Sequence, residues 1–243
     1  MCADCGCGDE GGARLTVLSG RTGHEHEHHS HSRVVSVEQA VLAKNDRLAA
    51  DNRGWLAARS ITAVNLMSSP GSGKTTLLER TIRDLDGARS VSVIEGDQET
   101  LLDAERIRAT GCPVVQINTG GGCHLDADML ARGLRALDPQ ADSLLFIENV
   151  GNLVCPALFD LGERTRAVII SVTEGDDKPL KYPHMFAAAD VVLINKIDLL
   201  PYVDFDLGRC AERARSIRRG VEILAVSAKT GEGFDAWHHW LRR

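Results

Sequence analysis

The chain has 243 residues, a formal net charge of −6, and 43% hydrophobic against 26% charged residues. That is enough for one good core and too little for two generous ones, and the acidic balance offers no global field to nucleic acid or anionic lipid. No apolar run approaches the ~20 residues that span a bilayer, and the N-terminus lacks the basic flank and apolar stretch of a secretory signal. The expectation is a cytoplasmic protein with no membrane and no nucleic-acid partner. Seven cysteines, an odd number, favour free thiols or metal ligands in a reducing compartment over a disulfide framework.

In chain order, residues 1–33 stand apart. They are rich in Gly, His, Cys and Glu, with few large apolar groups beyond Leu15, Val17 and Leu18. Such a segment buries too little surface to offset its ordering entropy and reads as a flexible metal-binding tail. It carries Cys2, Cys5 and Cys7, then His24, His26, His28, His29 and His31 in "HEHEHHSH", a bias typical of metal-binding tracts. Taken alone, the three thiols fit a disulfide remnant, a zinc knuckle lacking a fourth cysteine, or ligands kept accessible for a metal that comes and goes.

Residues 34–243 read as one domain. Ser36 and Gln39 form a capping-box pattern, predicting a helix from Ser36 to about Ala58, interrupted at Gly54. Seven short β-branched runs follow, from "ITAVNLMSS" to "VEILAVSAK", most of them apolar on both faces. Strands covered by helices on both sides of a parallel sheet read this way. Helix-like segments such as "KTTLLERTIRDL", "QETLLDAERIRAT" and "LDADMLARGLRAL" alternate with them. The prediction is a three-layer α/β domain of P-loop type, with a mainly parallel sheet and right-handed crossovers.

The most informative stretch is "NLMSSPGSGKTTLLER". A strand ends at Ser68, a glycine-containing loop follows, and a helix opens at Lys74. Gly71, Ser72 and Gly73 would turn backbone N–H groups onto a phosphate, backed by the helix dipole. Lys74 would reach the β/γ-phosphates, Thr75 would ligate Mg²⁺, and Thr76 completes the motif. Ser68 stands where the usual pattern has its first glycine. Further on, Asn195, Lys196 and Asp198 of "NKID" follow the run "VVLI" at a strand's C-terminal end, where ligands bind in open α/β sheets. A carboxylate there accepts from both N1–H and the exocyclic amine of guanine, and rejects adenine. With "SAK" at Ser227, Ala228 and Lys229, the three motifs in this order predict a GTPase. "ENVG" places Glu148 and Gly151 where such enzymes carry D-x-x-G, so Glu148 would hold Mg²⁺ through a water and Gly151 would sense the γ-phosphate. Asp97, at the end of "EGD", is a further carboxylate for the metal. Lys74, Asp97 and Glu148 are the catalytic candidates. No glutamine stands out to position water, which suits slow, switch-like turnover of GTP to GDP.

Cys123 and His124 follow a glycine run, and Cys155 follows Gly151 closely. Thiolate and imidazole suit Ni²⁺ or Zn²⁺; buried free cysteines are usually small core residues, and the residues alone leave both readings open. Cys112, Cys210, His238 and His239 default to structural roles.

With these residues assembled, the chain closely resembles the HypB family of GTPases that help deliver nickel to nickel–iron hydrogenase. The resemblance covers essentially the whole chain. It rests on C-x-x-C-G-C-G, the His-rich insert, "SSPGSGKTT", "EGD", "NTGGGCH", "ENVGNLVCP", "VTEGDDKPLKYP" and "NKID", and the Ser68 and Glu148 departures match the family. It implies a SIMIBI-class P-loop fold that dimerises on binding GTP. It also implies a high-affinity nickel site at Cys2, Cys5 and Cys7, and a nickel/zinc site at Cys123, His124 and Cys155. A HypA-type nickel accessory protein and the hydrogenase large subunit are the implied partners. Two rivals remain: a UreG-like urease accessory GTPase, and a nickel-storage protein in which the tail dominates.

Overall fold

The computed structural model describes residues 31–85, 87, 89–97 and 102–243, with side chains from Gln39 onward. All seven apolar runs form strands: β1 (Thr62–Ser68), β2 (Val91–Asp97), β3 (Val114–Asn118), β4 (Leu144–Gly151), β5 (Thr165–Ser171), β6 (Val191–Asn195) and β7 (Glu222–Ala225). They make one sheet in the order β3-β2-β4-β1-β5-β6-β7, and every pairing is parallel. Because side chains alternate between two buried faces, most positions of the runs are apolar. In β4, Leu144 and Phe146 join the core on one face with Leu77, Leu78, Phe234 and Trp237. Leu145 and Ile147 join a second core on the other face with Leu56, Leu130 and Leu134.

The helices are α1 (His31–Ala58), α2 (Lys74–Asp84), α3 (Leu102–Arg108), α4 (Ala127–Leu137), α5 (Lys178–Lys181), α6 (Pro183–Ala188), α7 (Leu207–Ile217) and α8 (Phe234–Leu241). The start of α4 is fixed by Asp126, whose side chain accepts from Met129 N, and the start of α7 by Asp206, which accepts from Arg209 N; each satisfies a donor the helix leaves orphaned. The first helix corrects the sequence reading. It is helical from the first described residue, His31, so Ser36 lies inside it and is no N-cap, and it runs unbroken through Gly54. A glycine costs a helix interior only about 1 kcal/mol against alanine, and tertiary anchors outweigh that. Asn45 donates to the Asp160 carbonyl and accepts from Ala127 N, while Asn52 donates to the carbonyls of Ala127 and Leu161. No helix among the described residues is long and apolar enough to cross a membrane.

Candidate nucleotide and metal sites

The C-terminal ends of β1, β4 and β6 converge on one cleft of about 450 Å³, lined by residues 68–76 with Asp103, Arg106, Gly151 and Lys196. The loop between β1 and α2 turns through Gly71 (φ 74°) and Gly73 (φ 88°), left-handed conformations that glycine adopts without strain. Gly73 has a second reason to lack a side chain: a Cβ would lie 2.7 Å from Asn195 Nδ2. Gly151 passes close as well, its Cβ position being 3.3 Å from Pro70 Cα, which puts the end of β4 against the loop.

The predicted guanine-recognition segments lie beside this loop and are bolted to it. Asn195, fully buried at the end of β6, donates to the Ser72 carbonyl at 2.9 Å and accepts from Ala228 N at 3.1 Å. Lys196 Nζ donates to the Gly71 carbonyl at 2.6 Å. The Ser227 hydroxyl donates to Asp198 Oδ1 at 2.6 Å, holding one edge of the carboxylate; Lys229 is exposed beyond it. Asn195 is therefore a strut between the two loops, a role the tetrapeptide alone did not disclose.

Beneath the loop, Thr75 Oγ1 donates to Glu148 Oε1 at 2.6 Å, and Lys74 Nζ lies 3.2 Å from the same oxygen. Glu148 is fully buried, not a solvated loop residue, and its Oε2 has no hydrogen-bond partner among the described residues. Asp97 ends β2. Glu95, which "EGD" alone does not set apart from Asp97, pairs in register with Glu148 across β2 and β4. Its Oε2 is likewise without a partner. Burial, then the neighbouring Glu148 charge, pushes the Glu95 carboxyl up to about 8. The orphaned oxygen of Glu148 and the Thr75 hydroxyl beside it are oxygen donors that suit a hard divalent cation. Arg106 of α3, which no sequence motif marks, donates to Thr76 Oγ1 at 3.0 Å and to Glu79 at 2.8 Å at the cleft's rim.

The second site is built from the segment after β3 and the 3₁₀ turn after β4. Cys123, His124 and Cys155 place one ligand atom each within 4.8 Å of one another. The Cys123 thiol donates to Cys155 Sγ at 2.9 Å, and His124 Nδ1 lies 3.7 Å from Cys123 Sγ. The imidazole stacks on Phe159 with ring centroids 3.9 Å apart. Burial lowers the His124 pKa, keeping a neutral ring with a lone pair to give. Cys112 and Cys210 lie elsewhere in the core, in keeping with structural roles. Cys2, Cys5, Cys7, His24, His26, His28 and His29 lie outside the described residues, and His31 is the first residue of α1.

A family model described as the CobW/HypB/UreG nucleotide-binding domain matches residues 62–225. Hydrogenase maturation factor HypB of Azotobacter vinelandii is 58% identical over 214 residues, 88% of this chain and 71% of that protein. The Escherichia coli K12 factor of the same name is 57% identical over 212 residues, covering 87% and 73%. The chain belongs to the HypB family of hydrogenase maturation factors. Solved HypB structures agree with the fold. The Archaeoglobus fulgidus protein superposes with a TM-score of 0.77 at 44% identity, over 82% of this chain and 98% of that one. HypB from Helicobacter pylori, solved in complex with nickel, gives 0.78 at 38%, over 82% and 94%. FlhF, at 14% identity and a TM-score of 0.51, shares the P-loop fold alone. The phosphate loop, the Asn195 strut and the Cys/His cluster are all built from described residues of this chain.

Proposed function

We propose that this HypB-family chain is a GTP-hydrolysing nickel metallochaperone that delivers nickel for maturation of nickel–iron hydrogenase. The observation that carries the reading is the common origin of the two sites on β4. Glu148 and Gly151 reach the phosphate loop, and Cys155 follows within the next turn to meet Cys123 and His124. Lys74 holds the β/γ-phosphates, Asp198 reads guanine, and Thr75, Glu148 and Asp97 hold Mg²⁺, which fits the orphaned Glu148 oxygen. The metal supplies charge neutralisation for the transferred phosphoryl group. Nickel, or zinc in its place, binds Cys123, His124 and Cys155 as cargo, and three protein ligands leave positions for an incoming donor. A γ-phosphate that repositions Gly151 alters the Cys155 geometry and with it nickel affinity.

The finer parts follow the family: a homodimer promoted by GTP, a HypA-type accessory protein as partner, and the hydrogenase large subunit as recipient. The tail, residues 1–33 with Cys2, Cys5, Cys7 and its histidines, captures nickel and presents it. The reading places the protein in the cytoplasm.

The test combines GTP turnover with nickel and zinc titrations of the wild type, Lys74→Ala, a Cys123→Ser/Cys155→Ser double variant and a chain lacking residues 1–33. Lys74→Ala is expected to abolish turnover and hydrogenase maturation, while tail deletion leaves maturation intact at adequate nickel. Maturation that survives Lys74→Ala but fails without the tail would favour a storage protein instead.

A further inference from the structure

Alternation along β4 puts Glu148 and Asn149 on opposite faces of the sheet. Glu148 serves the phosphate loop. Asn149, fully buried, serves both sides: its carbonyl accepts from Lys74 Nζ, and its Oδ1 accepts from Leu125 N at 3.1 Å and from Val150 N at 3.0 Å. Its Nδ2 donates to Asn65 Oδ1 of β1 at 3.4 Å. Leu125 is the residue after His124, and it is also fully buried. The Leu125 side chain lies on Gly96, where a Cβ would stand 2.7 to 2.9 Å from its branch atoms. Gly96 separates Glu95 from Asp97. The backbone beside the metal ligand is thus clamped between the two strands that carry the candidate magnesium carboxylates.

We propose that Asn149, with Leu125 held against it, is the positioning link that couples nucleotide state to nickel affinity at Cys123, His124 and Cys155. This rests on reading the two sites as GTP and nickel sites. Lys74 cannot serve a phosphate and the Asn149 carbonyl equally. A γ-phosphate that draws the ammonium toward itself removes a charge-assisted donor from that carbonyl and frees the Asn149–Val150 peptide to rotate. The carboxamide moves with its own backbone, and the Leu125 N–H, bonded to Oδ1, carries the shift to the His124–Leu125 peptide. The device is a two-position hydrogen-bond element biased from both ends, which is what reciprocal coupling requires.

The experiment uses the full chain with Cys2, Cys5 and Cys7 changed to Ser, so that thiolate-to-nickel absorption reports Cys123 and Cys155 alone. Nickel is titrated with saturating GDP and with a non-hydrolysable GTP analogue. The parent is expected to show at least a roughly fivefold difference in nickel affinity between the two states. Asn149→Ala is expected to bind nickel and each nucleotide but to bring that difference below about twofold. Asn149→Asp, which keeps the acceptor for Leu125 N, retains most of the difference. Should Asn149→Ala not fold, Leu125→Ala, which vacates the Gly96 contact, is expected to cut the difference at least by half. Full coupling in Asn149→Ala, or in Leu125→Ala where that variant stands in, overturns the link while leaving the GTP and nickel sites as read. No difference in the parent removes the coupling reading itself and the link with it.

Discussion

Asn195 is the sharpest point at which to probe the nucleotide site, because one side chain joins two loops from the inside. Asn195→Ala deletes a 2.9 Å bond to the Ser72 carbonyl and a 3.1 Å bond from Ala228 N, both buried. Each bond is worth about 1 kcal/mol net, and stranding a buried partner raises the cost to about 1–3 kcal/mol. The expected loss of stability is therefore about 3 kcal/mol, read as a lower urea midpoint at unchanged slope. The functional consequence is separable. The Ser72 carbonyl orients the loop ahead of Gly73, so its release disorders the phosphate cradle before nucleotide arrives. GDP affinity is expected to fall by about ten- to a hundredfold, equivalent to about 1.4–2.8 kcal/mol, measured by equilibrium titration of a fluorescent GDP. Gly73→Ala attacks the same joint from the other side, with its Cβ at 2.7 Å from Asn195 Nδ2 and φ at 88°. Because the two changes share one contact, the double variant should lose less than the sum of the singles. A stability loss below about 1 kcal/mol with GDP affinity unchanged would refute the strut and return Asn195 to an ordinary strand end.

Asp198→Asn should weaken guanine nucleotides by about ten- to a hundredfold, the loss of a charged hydrogen-bond acceptor. It should strengthen binding of xanthine nucleotides, whose 2-oxo group accepts from the new amide; equal affinities for both bases in wild type and variant would exclude Asp198 from base recognition. Trp237→Phe removes the bond from Nε1 to Thr81 Oγ1 at 3.0 Å and some buried volume, so stability should drop by about 2 kcal/mol. GDP affinity should hold, and a large change in it would contradict the separation of α8 from the cleft. Burial pushes the Cys112 thiol up to about 11 and the Cys210 thiol up to about 12, and only the thiolate is alkylated. In native protein at pH 8, peptide mass spectrometry should find iodoacetamide on Cys123 before either of them, and nickel should slow that reaction; early modification of Cys210 would show that its core is open.

The strands were legible because burial on both faces leaves few polar positions to confuse the pattern, α2 because the phosphate-loop motif announces its start, and α4 because its apolar residues recur at helical spacing behind the Asp126 cap. The phosphate loop was legible because its chemistry demands particular residue types at tight spacing, whereas Cys123 and Cys155, 32 positions apart, were open between core and ligand roles on the residues alone and were joined only by the family resemblance. What stayed hidden depends on register and on direction. Glu95 and Asp97 look alike in "EGD", and only the pairing of β2 with β4 sets Glu95 beside Glu148. Asn195 reads as a base contact until the P-loop is seen lying against it. The first helix hid its true extent because Asn45 and Asn52 find partners more than 70 residues away, which no local pattern records. Asn149 makes the same point at the centre of the protein. In "FIENVGN" it is one polar residue among several. In the sheet, the two-residue period sends its carboxamide to the metal side while its carbonyl takes Lys74. A strand that reaches the phosphate loop from one face and the Cys123, His124 and Cys155 cluster from the other carries consecutive polar residues, Glu148 then Asn149, in an otherwise apolar run. That interruption is costly in a buried strand unless every polar atom is used. Here Asn149 is satisfied within the protein and the oxygen left over belongs to Glu148, the one of the pair on the side of the phosphate loop.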